Sequence, residues 1–324
     1  MGKLKVGVIG VGHMGNYHAR VYHKMRHYVE FVGVCDINKA RADEIAALYN
    51  TKAYYTHQEM LHDVDAVTIA VPTVSHYEVA KNCLVAGKHI LLEKPITDNL
   101  EHAKDLIEIA EKKDLVFHAG HVERFNAAVL ELMRYSVEIE PLFLEARRLG
   151  PLGNRVRTSG VILDLMIHDI DIVLNLLKSE VEGITAVGKS LKTPFEDIAH
   201  VQLYFKSGAI ASLAASRITQ TKIRTLSITM PESYIFLDYA EEDIYVYSQG
   251  GQDYTVGNVP VREIHDTNVQ RIIVNKDNPL KLEIEHFIEC IMENEISLYS
   301  TIDNLRSLEV ALKAESLAML HWKK

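Results

Sequence analysis

Residues 3–20 read KLKVGVIGVGHMGNYHAR, and the fold is decided here. A short apolar strand, Leu4 to Ile9, runs directly into Gly10, Gly12 and Gly15 in G-x-G-x-x-G spacing. A helix-like segment follows, and a second apolar strand ends at Asp36, 21 residues past Gly15. The glycine spacing alone is a weak signal. With the strand before it, the helix after it and the acid at the end of the next strand, it is a dinucleotide-binding fingerprint. Gly10 allows the tight turn, Gly12 lets backbone approach a pyrophosphate, and Gly15 lets the helix pack closely on the strand. The helix N-terminus offers N–H groups and a positive dipole end to the phosphates. An ordinary glycine-rich turn in a doubly wound fold is the plainer alternative.

Outward from this stretch, the first 120 or so residues alternate strands and helices. Strands are expected at 4–9, 30–35, 66–71, 89–92 and 115–119, with helices near 14–28, 38–49, 75–86 and 99–112. That alternation predicts a parallel sheet with helices on both faces. The pattern then changes. Helices are expected at 123–135 and 163–178, and strands at 141–148, 181–189, 199–206, 209–216, 223–229, 234–238 and 243–248. Lys206-Ser207-Gly208 is a hairpin turn between two of them. The polar stretch 249–280 reads as irregular, and helices at 281–293 and 303–320 close the chain. The expected architecture is therefore α/β: a Rossmann dinucleotide-binding domain over 1–121, then an α+β domain over 122–324 with a mostly antiparallel open sheet.

Composition narrows the class. The chain has 324 residues, 48% of them hydrophobic, as in a two-domain globular protein. No run of 18 apolar residues occurs, so no membrane span is expected. With the chain entering a strand directly, no signal peptide is expected. The three cysteines, Cys35, Cys83 and Cys290, form no C-x-x-C and read as reduced thiols of a cytoplasmic protein. A formal net charge of −9 argues against a general nucleic-acid binder. His118 and His121 hint at a metal, but no third ligand stands nearby at metal spacing, and no metal is expected.

Several residues carry chemistry. Asp36 can accept hydrogen bonds from the adenosine ribose hydroxyls, or can simply be a turn residue starting the next helix. Glu93-Lys94-Pro95 follows a strand end, where ligands of open α/β sheets bind. A lysine there can steady a developing oxyanion, and Glu93 can hold the lysine; a solvated charge pair fits the spacing too. Asp164 and His168 stand at i and i+4 on the apolar helix VILDLMIHDIDIVLNLL, and Asp171 continues their face. A histidine beside a carboxylate suits general acid/base work, although a hydrogen-bonded structural pair fits equally. Arg147, Arg148, Arg155 and Arg157 crowd into eleven residues before that helix, with Arg124 and Asn126 upstream at the domain junction. Guanidinium groups bind phosphate bidentately, so these arginines suit a phosphorylated or nucleotide-bearing substrate, or else a solvated loop.

Taken together, GVGHMG with His18, PTVSH at 72–76, EKP, HVERFN, DLMIHDID and the closing NLRSLEVALKAESL resemble the glucose-fructose oxidoreductase / inositol dehydrogenase / rhizopine-catabolism (Gfo/Idh/MocA) family over nearly the whole chain. The resemblance implies hydride transfer between NAD(P) and a sugar-like alcohol carbon, and Asp36 points to NAD as the form used. It implies Lys94 as the active-site lysine, with Asp164 and His168 on the substrate side. It places Gly10, Gly12, His13, Met14, Gly15, Asp36, Pro72, Thr73, His76, Glu93 and Lys94 beside the cofactor, and an open sheet that builds dimers or tetramers. HVERFN, GPLGNRVR and DLMIHDIDI resemble the nucleotide-sugar branch, which oxidises UDP-N-acetylglucosamine to its 3-keto form for amino-sugar biosynthesis. Arg124, Asn126, Arg155 and Arg157 would then hold the substrate. Other members act on inositols or free sugars, and some are non-catalytic NAD-linked sensors.

Asp36 generates a first expected outcome. A 2′-phosphate beside its carboxylate is a like-charge contact costing on the order of several kcal/mol, and Ile37 and Asn38 offer no cation. NAD should therefore bind more tightly than NADP in separate titrations; equal affinities would contradict this role for Asp36.

Overall fold

The computed structural model describes residues 2–135, 140–153, 159–256, 259–264, 267–293, 298 and 300–320. Six parallel strands open the chain: β1 (Lys5–Ile9), β2 (Glu30–Cys35), β3 (Lys52–Tyr54), β4 (Ala66–Ile69), β5 (His89–Glu93) and β6 (Phe117–Gly120). β4 and β6 are buried at every position and β1 and β5 at all but the first, as strands covered on both faces must be. Their order is β3-β2-β1-β4-β5-β6, so the winding reverses between β1 and β4 and opens a crevice at their carboxyl ends. The helices are α1 (His13–Lys24), α2 (Lys39–Tyr49), α3 (His57–Leu61), α4 (His76–Val85) and α5 (Leu100–Lys112). Side-chain caps start three of them: Asn38 accepts from the Arg41 amide, Thr56 from the Glu59 amide, and Asn99 from the amides of Glu101 and His102. β3 and α3 were not expected, because three and five residues are too short to display a period.

Next come α6 (Ala127–Tyr135) and β7 (Phe143–Leu149), then a π-helical turn, Ile162–Met166, leading into α7 (Ile167–Leu177). A run of strands follows: β8 (Val181–Lys189), β9 (Ile198–Phe205), β10 (Ile210–Ser216), β11 (Ile223–Thr229), β12 (Ser233–Asp238), β13 (Asp243–Ser248), β14 (Gly251–Val256), β15 (Val259–Ile264) and β16 (Asn268–Ile272). Eight of these strands, β7 among them, form a sheet ordered β16-β13-β12-β11-β7-β10-β9-β8, antiparallel except where β7 runs parallel to β10. The expected hairpin between β9 and β10 forms, with Gly208 at φ 87°. The stretch 249–280, expected to be irregular, holds β14, β15 and β16. β16 lacks any apolar alternation because it is exposed, and backbone pairing with β13, Ile244 opposite Ile272, makes it a strand. β14 and β15 pair with each other.

The chain closes with α8 (Pro279–Met292), capped by Asn278, and α9 (Thr301–Leu320). Two compact units result: Met1–Phe125 with Asn278–Glu309, and Asn126–Asp277 with Val310–Lys324. In the first unit α8 sends Leu280, Ile284, Phe287 and Ile288 into the same core as Val6, Val8, Tyr22 and Leu91. In the second, one face of the sheet buries Leu144, Ala146, Val201, Leu203 and Leu213 against Ile162, Met166, Ile170 and Val173.

That core also contains an ion pair. Arg148 of β7 donates through Nε and Nη2 to the two oxygens of Asp169 on α7, at 2.9 and 2.8 Å, and its guanidinium lies over the Tyr239 ring. Both residues are almost fully buried. Removing one partner strands the other charge in an apolar core, at a cost of about 3–5 kcal/mol. Asp169→Ala should lose stability of that order in urea unfolding, and the Arg148→Ala, Asp169→Ala double variant should lose less than the sum; strict additivity would show that the pair does not tie β7 to α7.

Candidate active site

The phosphate loop takes the shape its glycines predict. Gly10 stands at φ 83° and its amide donates to the Cys35 carbonyl at 2.7 Å, which ties the loop to the end of β2. A Cβ on Gly15 would lie 1.7 Å from the Gly10 carbonyl oxygen, so only glycine lets α1 start this close to the turn. A Cβ on Gly12 would meet nothing within 4 Å. No side chain caps α1 and no acid occupies its first turn. Open space over Gly12, beside an uncapped helix start, fits the pyrophosphate of a dinucleotide. His13 is exposed, its ring edge-on to Tyr17 at 5.0 Å, and Met14 is half-buried. Asp36 follows β2, and its carboxylate accepts from the amides of Val11 (3.0 Å) and Asn38 (2.9 Å). The loop and the acid are therefore one hydrogen-bonded piece. Arg41 reaches this loop from α2, which sequence adjacency did not reveal. Its Nε donates to the Val11 carbonyl at 2.9 Å, and Nη1 pairs with Glu44.

The EKP segment lies at the end of β5. Glu93 is buried, and its Oε1 meets His18 Nε2 of α1 at 2.8 Å. Burial alone would raise the Glu93 pKa, but the His18 hydrogen bond and the nearby His18, Lys94 and His76 hold the carboxyl below its usual value. Glu93 Oε2 accepts from the Lys94 amide at 3.3 Å, and Lys94 itself is half-buried. Pro72 is exposed and Thr73 begins a 3-10 turn, Thr73–Ser75, after β4. His76 stitches this turn to EKP: Nδ1 lies 2.8 Å from the Pro95 carbonyl and Nε2 lies 2.9 Å from that of Val71. Burial lowers its pKa, and the carbonyl contacts to Pro95 and Val71 work against that shift.

After β6 the 3-10 turn Val122–Phe125 buries Arg124, whose amide donates to the His121 carbonyl. Asn126, in the second unit, is buried and doubly engaged. Its Nδ2 donates to the Tyr239 carbonyl at 3.0 Å, and its Oδ1 accepts from the Ala128 amide at 3.1 Å. His118 meets two residues far away in sequence, His286 and Cys290 of α8, with donor atoms all within 4.8 Å; His121 is not in this group. The His286 Nε2 lone pair accepts from the Leu298 amide at 3.1 Å. Burial drives the His118 pKa down to about 3, with His286 and Arg124 adding to the effect.

In the second unit, Asp164 sits on the π turn and the buried His168 one turn further on, in α7. π turns of this kind occur frequently at functional sites. Asp164 faces a residue that the sequence pattern did not single out. Arg217, directly after β10, places Nη2 3.8 Å from Asp164 Oδ2 and Nε 4.0 Å from Asp197 Oδ1. Arg147 and Arg148, two of the four arginines before the helix, do not share a patch. Arg148 is consumed in the core ion pair, and Arg147, on the opposite face of β7, pairs with Glu145 at 2.7 Å. Arg155 and Arg157 lie outside the described residues. The only sign of Arg217 in sequence is a charge at the end of the apolar strand IASLAAS, which strand patterning assigns to an ordinary turn.

Residues 4–121 match the oxidoreductase family with an NAD-binding Rossmann fold, and residues 141–233 match the GFO/IDH/MocA C-terminal domain. The chain is 34% identical over 311 residues to UDP-N-acetylglucosamine 3-dehydrogenase of Acidithiobacillus ferrooxidans, spanning 96% of each protein. A solved structure of that enzyme superimposes with a TM-score of 0.89 at 32% identity over 99% of both chains. The NAD-dependent scyllo-inositol 2-dehydrogenase of Bacillus subtilis is 27% identical, spanning 96% of this chain and 93% of that protein. The fingerprint loop, the EKP segment and the Asp164/His168 turn thus stand in a chain that belongs to the Gfo/Idh/MocA oxidoreductase family and carries its NAD-binding Rossmann fold.

Proposed function

We propose that the chain is an NAD-dependent dehydrogenase that oxidises the 3-hydroxyl of UDP-N-acetylglucosamine to a ketone. The observation that carries this is the end-to-end likeness to the Acidithiobacillus ferrooxidans enzyme, at higher identity than the inositol dehydrogenase reaches. Gly10, Gly12, Gly15 and the start of α1 hold the pyrophosphate of NAD, and Asp36 takes the adenosine ribose. Bound NAD supplies the hydride acceptor. The remaining chemistry is a proton transfer. His168 receives the proton of the substrate hydroxyl, and Lys94 polarises the same oxygen. Asp164 orients that exchange. Arg155 and Arg157, with Arg124, hold the diphosphate.

The working form is proposed as a homodimer or homotetramer. The sheet face turned away from the core leaves Phe143 of β7, Ile198 of β9 and Tyr234 of β12 each more than a third exposed. The compartment is proposed as the cytoplasm, where three buried cysteines, none of them in a disulfide, stay reduced. Among the described residues no helix is long and apolar enough to cross a membrane.

The direct test is NADH formation from a panel of UDP-sugars, inositols and free sugars with NAD. UDP-N-acetylglucosamine should be the preferred substrate; turnover confined to an inositol or a free sugar would overturn the assignment. Lys94→Ala and His168→Ala should each lower turnover by roughly 100-fold or more while NAD still binds. Near-normal turnover by folded His168→Ala would return that residue to a structural role.

The arginine loop gives a separate expectation. Charge-assisted phosphate contacts are worth about 1.5–3 kcal/mol each, so Arg157→Glu should raise the KM for the nucleotide sugar by on the order of tenfold and leave NAD binding intact. An unchanged KM would remove Arg157 from the substrate site.

A further inference from the structure

The end of β10 carries an unusual charge arrangement. Arg217 is 2% exposed, and its Nε and Nη1 have no hydrogen-bond partner. A buried guanidinium with two unused donors is costly unless its charge is needed where it stands. It is firmly held. Nη2 donates to the Ser159 carbonyl at 2.9 Å, and the Arg217 amide donates to the Asp197 carbonyl at 2.9 Å, continuing the β9–β10 ladder. Around it stand three carboxyl groups, each held differently. Asp197 accepts from the amides of Leu191, Lys192 and Thr193 and from the Thr193 hydroxyl, so its negative charge is met without Arg217. Glu196 accepts from the Ile162 amide at 3.1 Å and packs so closely on Gly160 that a Cβ there would lie 1.8 Å from its Oε1. Asp164 is the third. Its amide donates to the Gly160 carbonyl at 2.9 Å, and its carboxylate lies 3.8 Å from Arg217.

Backbone amides thus meet Asp197 and Glu196, and the Arg217 guanidinium faces Asp164 at 3.8 Å. We propose that Arg217 is a positioning residue for Asp164: its buried guanidinium, anchored on Ser159 and at the β9–β10 ladder, holds the carboxylate of the π turn in place for the substrate. This rests on the reading of Asp164 as a substrate-side group. The clamp is one-sided by construction, because the donors that would complete a bidentate pair, Nε and Nη1, are not used on Asp164. A charge contact at 3.8 Å steers the carboxylate.

The test compares Arg217→Gln, Arg217→Lys, Asp164→Asn and the Arg217→Gln, Asp164→Asn double variant, using UDP-N-acetylglucosamine and NAD. Arg217→Gln should lower kcat by about 30-fold or more with little change in the KM for NAD, as expected when a transition-state contact is lost rather than cofactor binding. Arg217→Lys keeps the charge and should recover at least about a tenth of wild-type kcat. In the Asp164→Asn background, Arg217→Gln should cost less than about threefold, because two residues acting as a unit do not multiply. Kcat within threefold of wild type in folded Arg217→Gln, or full multiplication of the two effects, would overturn the proposal. If Arg217→Gln does not fold, Arg217→Lys carries the same comparison in both backgrounds. If the wild type oxidises no nucleotide sugar, the functional reading fails on its own. The pairing is then read from thermal unfolding, where Arg217 substitution must lower Tm less in the Asp164→Asn background than in the wild type; equal losses would overturn it.

Discussion

The contact between His18 and Glu93 is the constraint on which the first unit depends. At 2.8 Å between buried atoms it joins the phosphate-loop helix to the end of β5, directly before Lys94. It is possible only because Gly15 lets α1 start against the Gly10 carbonyl, which brings the first turns of the helix down onto the sheet. His76 adds the second tie, from the β4 turn to Pro95. Lys94 is thus carried on a backbone fixed from two sides by hydrogen-bonded imidazoles. A flexible lysine stem gains precision from such a base, since the rotamer freedom left is that of the side chain alone.

The second unit solves the same problem with ion pairs. A helix as apolar as α7 can carry Asp169 and His168 only where the fold supplies partners or a use. Arg148 supplies a partner for Asp169 in the core. The π turn places Asp164 at the start of that helix, beside the end of β10, where Arg217 waits. Asp197 is held by four hydrogen bonds from the Leu191–Thr193 turn. Burial works against its charge, but those bonds bring its carboxyl down to about 2, so it stays ionised at any working pH. Charges in this region are placed by backbone geometry first and by side-chain pairing second.

Local patterns made much of this visible in the sequence. The glycine spacing, the unbroken apolar strands and Asp36 act over short stretches of chain, and each is legible because its physics is local. The alternating strands β7 to β13 are legible for the same reason. What stayed hidden depends on distance in sequence. Arg148 and Arg155 look alike in the chain, yet Arg148 is spent on Asp169, 21 residues on. Arg217 reads as a turn residue until β9 and β10 pair. His118 gains neighbours from α8, and α8 enters the first core through Ile284 and Phe287, which no reading of adjacent residues shows. β14 to β16 escaped because a polar strand has no hydrophobic period, and its ladder partner alone reveals it.

The carbon proposed to be oxidised is C3 of the N-acetylglucosamine ring of a UDP-sugar. Incubating the protein with NAD and UDP-N-acetylglucosamine deuterated at C3, then analysing the reduced cofactor by mass spectrometry, tests it most directly. Deuterium should appear in the reduced nicotinamide, with turnover slowed relative to the unlabelled sugar if hydride transfer limits the rate. Unlabelled NADH from the C3-deuterated sugar, or deuterium arriving instead from a C4- or C6-labelled one, would contradict the account.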